Sequence, residues 1–300
     1  MTRELRVATR ASALARWQAE RISQLVDRPT TLVIVSTAGD RDTTSPIHAL
    51  GGTGVFVKEI QEAVLRGDAD VAVHSAKDLP AETPDGLVLA CVPEREDPRD
   101  ALVGSALADI PTGGRVGTGS VRRRAQLSAL RPDLTFAELR GNIPTRLERA
   151  RELDAGVVAF AALVRLGLAH EAAEVLEPSV MLPQVGQGAL AVECRADDAD
   201  VLAVLATIDN ELVHRTVRAE RAFLAELGGG CDLPCGALAA ADPSDAGGSS
   251  LALVGLLASL DGRVVLRTSE SGTDPEALGA LVAHRLVHDE GGASLLEDVA

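Results

Sequence analysis

The sequence contains no tyrosine, one tryptophan and four phenylalanines in 300 residues. The rings, Trp17, Phe56, Phe136, Phe160 and Phe223, are too few to build a stacking platform for nucleic-acid bases. A net charge of −15 also works against broad binding to a phosphate backbone, so no nucleic-acid partner is expected. Lysine is nearly missing: Lys58 and Lys77 stand against 27 arginines, a bias that a GC-rich genome alone can produce. No stretch approaches about 18 uncharged apolar residues, which excludes the ordinary pattern of a membrane-spanning helix. Four cysteines, Cys91, Cys194, Cys231 and Cys235, are too scattered for a disulfide framework. There is no GxxxxGK[ST] phosphate loop and no GxGxxG opening a helix, so nucleotide binding is disfavoured. No repeat of fixed period occurs. The N-terminus reads straight into a strand at 5–9, without a basic leader and apolar run, and the expected location is the cytoplasm.

Hydrophobic residues make up 46% and charged residues 24%, enough apolar material for packed cores, and the length suits two or three domains. Short β-rich runs alternate with helical patterns. RVAT (6–9) leads to a helix capped by Ser12, TLVIVS (31–36) to a Gly- and Thr-rich loop (37–55) and a helix over about 56–66, and DVAVHS (70–75) is a third strand. This alternation predicts an α/β fold with βαβ crossovers. PEREDPRD (93–100) reads as a linker. A second α/β block follows, with RVGTGS (115–120) entering a helix near Val121, LTFAELR (134–140) entering another near Pro144, and VVAF (157–160) preceding a third. The segment 182–195 reads as a second crossing between domains. A helix over 211–227 ends at three glycines. Two strands, 251–259 and 263–269, joined by Asp261-Gly262, and a helix from Asp274 or Pro275 make a small α+β unit, with 241–250 as an exposed loop.

Several strand ends carry chemistry. Arg10 and Ser12 lie where strand one meets helix one, the carboxyl end of a strand that faces the ligand crevice in open α/β sheets; the bland reading is a cap and a solvated charge. In VGTGSVRRR (116–124) three arginines stand in the first helical turn, against the helix dipole. An anionic ligand resolves that conflict, taking backbone N–H groups and bidentate guanidinium bonds. Adjacent residues fan around a helix, so Arg124 is expected to face solvent. LRGNIPTR (139–146) brings Arg140 and Arg146 toward the same crevice, and Arg165 has a similar placement; a polycarboxylate or phosphorylated ligand fits this set. In HSAKDLP (74–80), Asp78 beside Lys77 can stabilise a developing cation or move protons, or can be an ordinary surface pair. In GGGCDLPC (228–235), Cys231 on a glycine-rich loop is a candidate nucleophile or attachment point; a buried small cysteine or a Cys231/Cys235 redox pair are the alternatives, although CxxxC is not the redox spacing. His284 and His288 lack a third ligand in register and read as surface residues.

Taken in order, RVATRASALARWQ, GVFVKE, HSAKDLP, EREDPRDALV, VGTGSVRRR, LRGNIPTRL, RLGL, LPQVGQGALAVECR and GGGCDLP resemble the porphobilinogen deaminase (hydroxymethylbilane synthase) family over nearly the whole chain. The resemblance implies two α/β domains like the lobes of periplasmic binding proteins around a cleft, 1–93 with 189–208 and 98–183, and a small α+β C-terminal domain, 211–300. It implies a dipyrromethane cofactor held through a thioether to Cys231, on which four molecules of porphobilinogen are joined head to tail with loss of ammonia to give hydroxymethylbilane. Asp78 is the implied catalytic carboxylate. Lys77, Ser75, Thr118, Ser120, Arg122, Arg123, Arg140, Gly141 and Gln187 are the implied cofactor contacts, and Arg10, Ser12, Arg146, Arg165 and Lys58 the implied substrate contacts. No metal, no membrane partner and a monomer are expected. Every pyrrole ring carries two carboxylates, so fixed cations must line the site even in an acidic protein. The sequence departs from the family pattern at Thr53, Ala76, Gly119 and Cys235, the last expected to be structural. The competing reading is a non-enzymatic two-lobed anion-binding protein, which has no use for a thiol on a glycine loop.

Overall fold

Apolar, β-branched runs separated by amphipathic stretches build three sheets in the computed structural model, which describes residues 3–37, 39, 54, 56–229 and 233–297. By contacts the chain divides into two units, 1–96 with 189–215 and 97–188 with 216–300.

In the first unit, β1 (Leu5–Thr9), β2 (Thr30–Ile34), β3 (Val71–Ser75), β4 (Leu87–Cys91) and β10 (Leu190–Arg195) form one sheet in the order β2-β1-β3-β10-β4. The first three strands are parallel; β10 runs antiparallel to both of its neighbours. Helix α1 (Ala13–Leu25) starts at Ser12, whose Oγ accepts from the Ala15 N–H at 3.3 Å, satisfying one of the otherwise open donors of the first turn. Helix α2 (Lys58–Leu65) crosses between β2 and β3, and α6 (Ala199–Ala206) follows β10. Leu5, Val7, Ile22, Val71, Val73, Leu190 and Val192 pack one face of the sheet, and Ala8, Ile60, Val64 and Leu87 the other.

The second unit repeats this topology. β5 (Asp100–Val103), β6 (Arg115–Gly117), β7 (Thr135–Ala137), β8 (Ala155–Ala159) and β9 (Ala172–Leu176) are ordered β7-β6-β8-β5-β9. Here β7, β6 and β8 are parallel, and β5 is antiparallel to β8 and β9. Helices α3 (Val121–Leu130), α4 (Ile143–Ala150) and α5 (Phe160–Arg165) follow the parallel strands. Asn142 caps α4, whose first turn contains Pro144 where its missing N–H costs nothing. The α/β class and the parallel crossovers match the sequence reading. The segment read as a linker differs: its last residue, Asp100, opens β5, because its carboxylate is buried and bonded by Arg122 and Arg123 inside the unit.

The same unit holds a three-stranded antiparallel meander, β11 (Cys235–Ala241), β12 (Leu251–Ala258) and β13 (Val265–Gly272), with α7 (Glu211–Glu226) and α8 (Pro275–His284) against it; the first turn of α7 belongs to the first unit. Phe223, Leu253, Leu257, Val282 and Leu286 form its core. Cys235 is buried there, consistent with a packing role. Leu256 and Ala258 meet Ala125 of α3 and Leu182, so the meander rests on the helix that carries the triple arginine. The Asp261-Gly262 turn makes this approach possible: Gly262 has φ +75°, and a β-carbon there would stand 2.3 Å from the Ala125 carbonyl oxygen. Among the described residues no helix is long and apolar enough to cross a membrane.

Candidate functional site

In the first unit, β1 and β3 are adjacent and parallel, so their carboxyl ends bring Arg10, Ser12, Lys77 and Asp78 to one edge of the sheet. β3 ends at Ser75, and one turn of 3₁₀ helix, Ala76–Asp78, presents Lys77 and Asp78 half-buried. This turn is fixed from two sides. The Ala76 N–H donates to the Ala189 carbonyl at 3.0 Å, and the Ser75 hydroxyl accepts from Gln18 Nε2 at 2.7 Å. Ala76 itself is buried, so its small side chain fits where it stands. The guanidinium of Arg10 lies over the Phe56 ring, 4.1 Å from its centre, a cation–π contact that orients a half-buried cation. Lys58 opens α2 and is exposed.

In the second unit, the three parallel strands end in the arginine-bearing loops. After β6, Thr118 is buried and its Oγ1 accepts from the Ser120 N–H at 3.2 Å; Ser120 caps α3 by accepting from the Arg123 N–H at 3.4 Å. After β7, Arg140 is half-buried, and Gly141 has φ +105°. The Gly141 carbonyl accepts from Arg146 Nε at 2.8 Å, so that arginine folds back on its own loop. After β8, the buried Arg165 donates to the Gly188 carbonyl at 2.6 Å. Arg124 is exposed, as the helical fan predicts.

Arg122 and Arg123 are buried on a residue that the sequence reading did not single out. Asp100 accepts from Arg122 Nη1 at 2.8 Å through Oδ2, and from Arg123 Nε and Nη2 at 3.0 and 2.7 Å through Oδ1. Gln187 Nε2 adds a bond at 2.9 Å to Oδ1 and one at 2.7 Å to the Pro98 carbonyl. Burial alone would raise the Asp100 carboxyl; the two guanidinium charges and the hydrogen bonds reverse this and hold it well below the usual carboxylate range. The anion that reconciles these arginines with their helix start is thus in part internal. Arg123 is fully engaged, its Nη1 donating to the Val157 carbonyl at 3.0 Å. Arg122 Nη1 also reaches the Leu182 carbonyl at 2.7 Å, but its Nε and Nη2, and Nη1 of Arg140, are buried and meet no hydrogen-bond partner among the described residues. Buried donors left unfilled are costly, and carboxylates are the groups that fill a guanidinium edge best.

Cys231 lies outside the described residues, as does Thr53. The helix leading to Cys231 ends at Glu226, Gly228 just beyond it has φ +64°, and the strand that follows passes close to Arg122: a β-carbon on Gly236 would stand 2.7 Å from the Pro183 carbonyl oxygen and 3.3 Å from Cδ of Arg122. At Gly119, the departure from the family pattern, a β-carbon would meet Glu138 Oε2 at 3.1 Å. A further buried carboxylate, Glu220 of α7, accepts from the Gly186 N–H at 2.7 Å and the Ala239 N–H at 2.9 Å and so ties the loop carrying Gln187 to β11.

An α/β chain that gathers buried, partly unfilled guanidinium groups at the ends of parallel strands belongs to the class of proteins that bind polyanionic small molecules. Comparison with known sequences narrows the class. Residues 5–203 match the family model described as porphobilinogen deaminase, dipyrromethane cofactor binding domain, and residues 214–288 match porphobilinogen deaminase, C-terminal domain. The chain belongs to the porphobilinogen deaminase family. Relatives named porphobilinogen deaminase include those of Roseiflexus castenholzii, 48% identical over 99% of each chain, Geotalea daltonii, 44% identical over 98% of this chain and 95% of its own, and Bacillus pumilus, 44% identical over 99% of this chain and 97% of its own. Among solved structures, a periplasmic binding protein from Salmonella typhimurium is 14% identical over 71% of this chain and 94% of its own, with a TM-score of 0.38. The residues present fit the family's cofactor, a group bearing several carboxylates: the unfilled edge of Arg122 and the unfilled Nη1 of Arg140 are donors of the kind such a group requires.

Proposed function

We propose that this chain polymerises four porphobilinogen molecules head to tail, with release of ammonia, into hydroxymethylbilane, on a dipyrromethane primer joined to Cys231 through a thioether. The buried Arg122 donors that lack a partner are the observation that carries the reading, because a ligand carboxylate supplies both the charge and the acceptors they want. By task the chain divides into 1–93 with 189–208, bearing the acid loop, 98–183, bearing the arginines, and 211–300, bearing the attachment cysteine. When bound, dipyrromethane supplies the nucleophilic pyrrole carbon from which the product grows. Arg122 and Arg140, with Lys77, Ser75, Thr118, Ser120, Arg123, Gly141 and Gln187 around them, bind it or shape its seat. Arg10, Ser12, Lys58, Arg146 and Arg165 serve the incoming carboxylates of porphobilinogen.

Asp78 does the chemistry. As the C–N bond of porphobilinogen breaks and ammonia leaves, positive charge spreads over the pyrrole ring. The Asp78 carboxylate accepts the ring N–H and opposes that charge. Asp78 would also take up the proton that the coupling releases. The protein acts in the soluble phase, as a monomer in the cytoplasm.

Intact-protein mass tests the reading. Wild type carries the dipyrromethane increment and consumes porphobilinogen, and Cys231→Ala carries none. Asp78→Asn keeps the increment and loses turnover by about a hundredfold or more, the usual weight of a general acid–base group. An unmodified thiol in a wild-type protein that cannot condense porphobilinogen sinks the proposal.

A further inference from the structure

We infer that Asp100 is a positioning residue for the cofactor seat: it fixes Arg122 with one buried guanidinium edge left without a hydrogen-bond partner, for a ligand carboxylate to pair, and it absorbs Arg123 into the fold. This rests on the reading above and adds a division of labour between two arginines that are neighbours in sequence.

Asp100 stands fully buried at the head of β5, with four donors on its two oxygens: Arg122 Nη1, Arg123 Nε and Nη2, and Gln187 Nε2. The side edge of Arg123, formed by Nε and Nη2, is closed on Oδ1, and its third nitrogen is held by the Val157 carbonyl. Arg122 is turned the other way. It spends only Nη1, shared between Asp100 and the Leu182 carbonyl. Its side edge, Nε and Nη2, is the bidentate edge that matches a carboxylate, and it is buried with no hydrogen-bond partner among the described residues. Two cations and one anion leave one positive charge in surplus, and the surplus sits behind that edge.

The orientation is enforced from several directions. Gln126 fixes Leu182, accepting from its N–H at 2.8 Å and donating to its carbonyl at 3.1 Å. Gly236 lets the strand that follows the Cys231 loop lie against Cδ of Arg122. With Nη1 pinned by Asp100 and Leu182 and the stem covered, the guanidinium cannot rotate its unpaired edge away. Asp100 is therefore what converts two adjacent, mutually repelling cations into one held side chain and one prepared seat.

The test is the rate at which cofactor-free protein gains the dipyrromethane mass during incubation with porphobilinogen, with circular dichroism confirming that each variant is folded. Asp100→Asn keeps the shape and removes the charge; its loading slows by about tenfold or more, the scale of a lost charge-assisted hydrogen bond. Arg122→Lys removes the unpaired edge and slows loading by at least a further tenfold, whereas Arg123→Lys, which disturbs only the support, is the milder of the two. A network that merely stabilised the fold would shift both lysine variants alike. If Asp100→Asn does not fold, the double variant Asp100→Asn with Arg123→Gln restores the same surplus of one charge and must still load slowly. Loading of a folded Asp100→Asn or of the double variant at the wild-type rate, or a larger defect in Arg123→Lys than in Arg122→Lys, overturns the inference. A wild-type protein that never gains the mass refutes instead the function on which it rests.

Discussion

The two five-stranded sheets share one strand order and one pattern of directions, and in each the antiparallel fourth strand carries a buried carboxylate. In the first unit it is Glu193 on β10; in the second it is Asp100 on β5. Their surroundings diverge. Glu193 accepts from the Gln61 amide at 2.9 and 3.1 Å and lies 3.3 Å from Nε2 of His74. The Gln61 amide holds it on both oxygens, beside the His74 imidazole. Asp100 faces two permanent cations and cannot neutralise both. The same architectural position is thus a brace in one unit and, in the other, the underside of a cationic seat.

Three measurements break or sharpen this contrast. The largest effect belongs to Asp100→Ala, which strands two buried guanidinium groups: equilibrium unfolding in urea should show a loss of about 3–5 kcal/mol, the usual cost of removing one partner from a buried ionic cluster. Glu193→Gln keeps an acceptor for the Gln61 amide, so its loss should be only about 1–2 kcal/mol. Equal losses in the two variants would erase the distinction. The smallest effect at ordinary pH concerns titration. Because the Asp100 carboxyl lies below its usual range in the folded protein, its contribution is fully present above the unfolded value of about 3.9 and is lost as pH falls toward the folded value. The stability gap between wild type and Asp100→Asn should therefore stay flat from pH 7 to about 5 and close only in stronger acid. A gap that narrows between pH 7 and 6 would place the titrating group elsewhere.

Much of the architecture was legible in the sequence. Strands β1, β3, β6 and β8, the cap Ser12, Pro144 near a helix start and the Asp261-Gly262 turn all follow from local chemistry. Four strands were not. β11, CGALAAA, is rich in alanine, and only its pairing with β12 makes it a strand. β4 follows the turn residues Pro84-Asp85-Gly86 and still went unread, β9, AAEVL, has few β-branched residues, and β5 hides behind Pro98 and a cluster of charges. At the candidate site, the strand ends with their arginines, lysine and aspartate could be picked out because each lies in a local motif. Asp100 could not, since its partners lie 22, 23 and 87 residues away. The one available hint was a lone acid at the head of the otherwise apolar run DALV. Glu193, inside LAVECR, gave the same hint and went equally unread.

The placement of β10 has a consequence for how the chain can be made. β3 and β4 belong to the first hundred residues but do not touch as neighbours; the strand that joins them comes from beyond the whole second sheet. During synthesis the first sheet must wait, as three strands and a detached fourth, with hydrophobic flanks uncovered, until Leu190–Arg195 emerges and slots between them. The second sheet has no such gap, since all its strands arrive in one continuous stretch. A nascent chain halted before residue 190 therefore holds one sheet able to close and one that is permanently split.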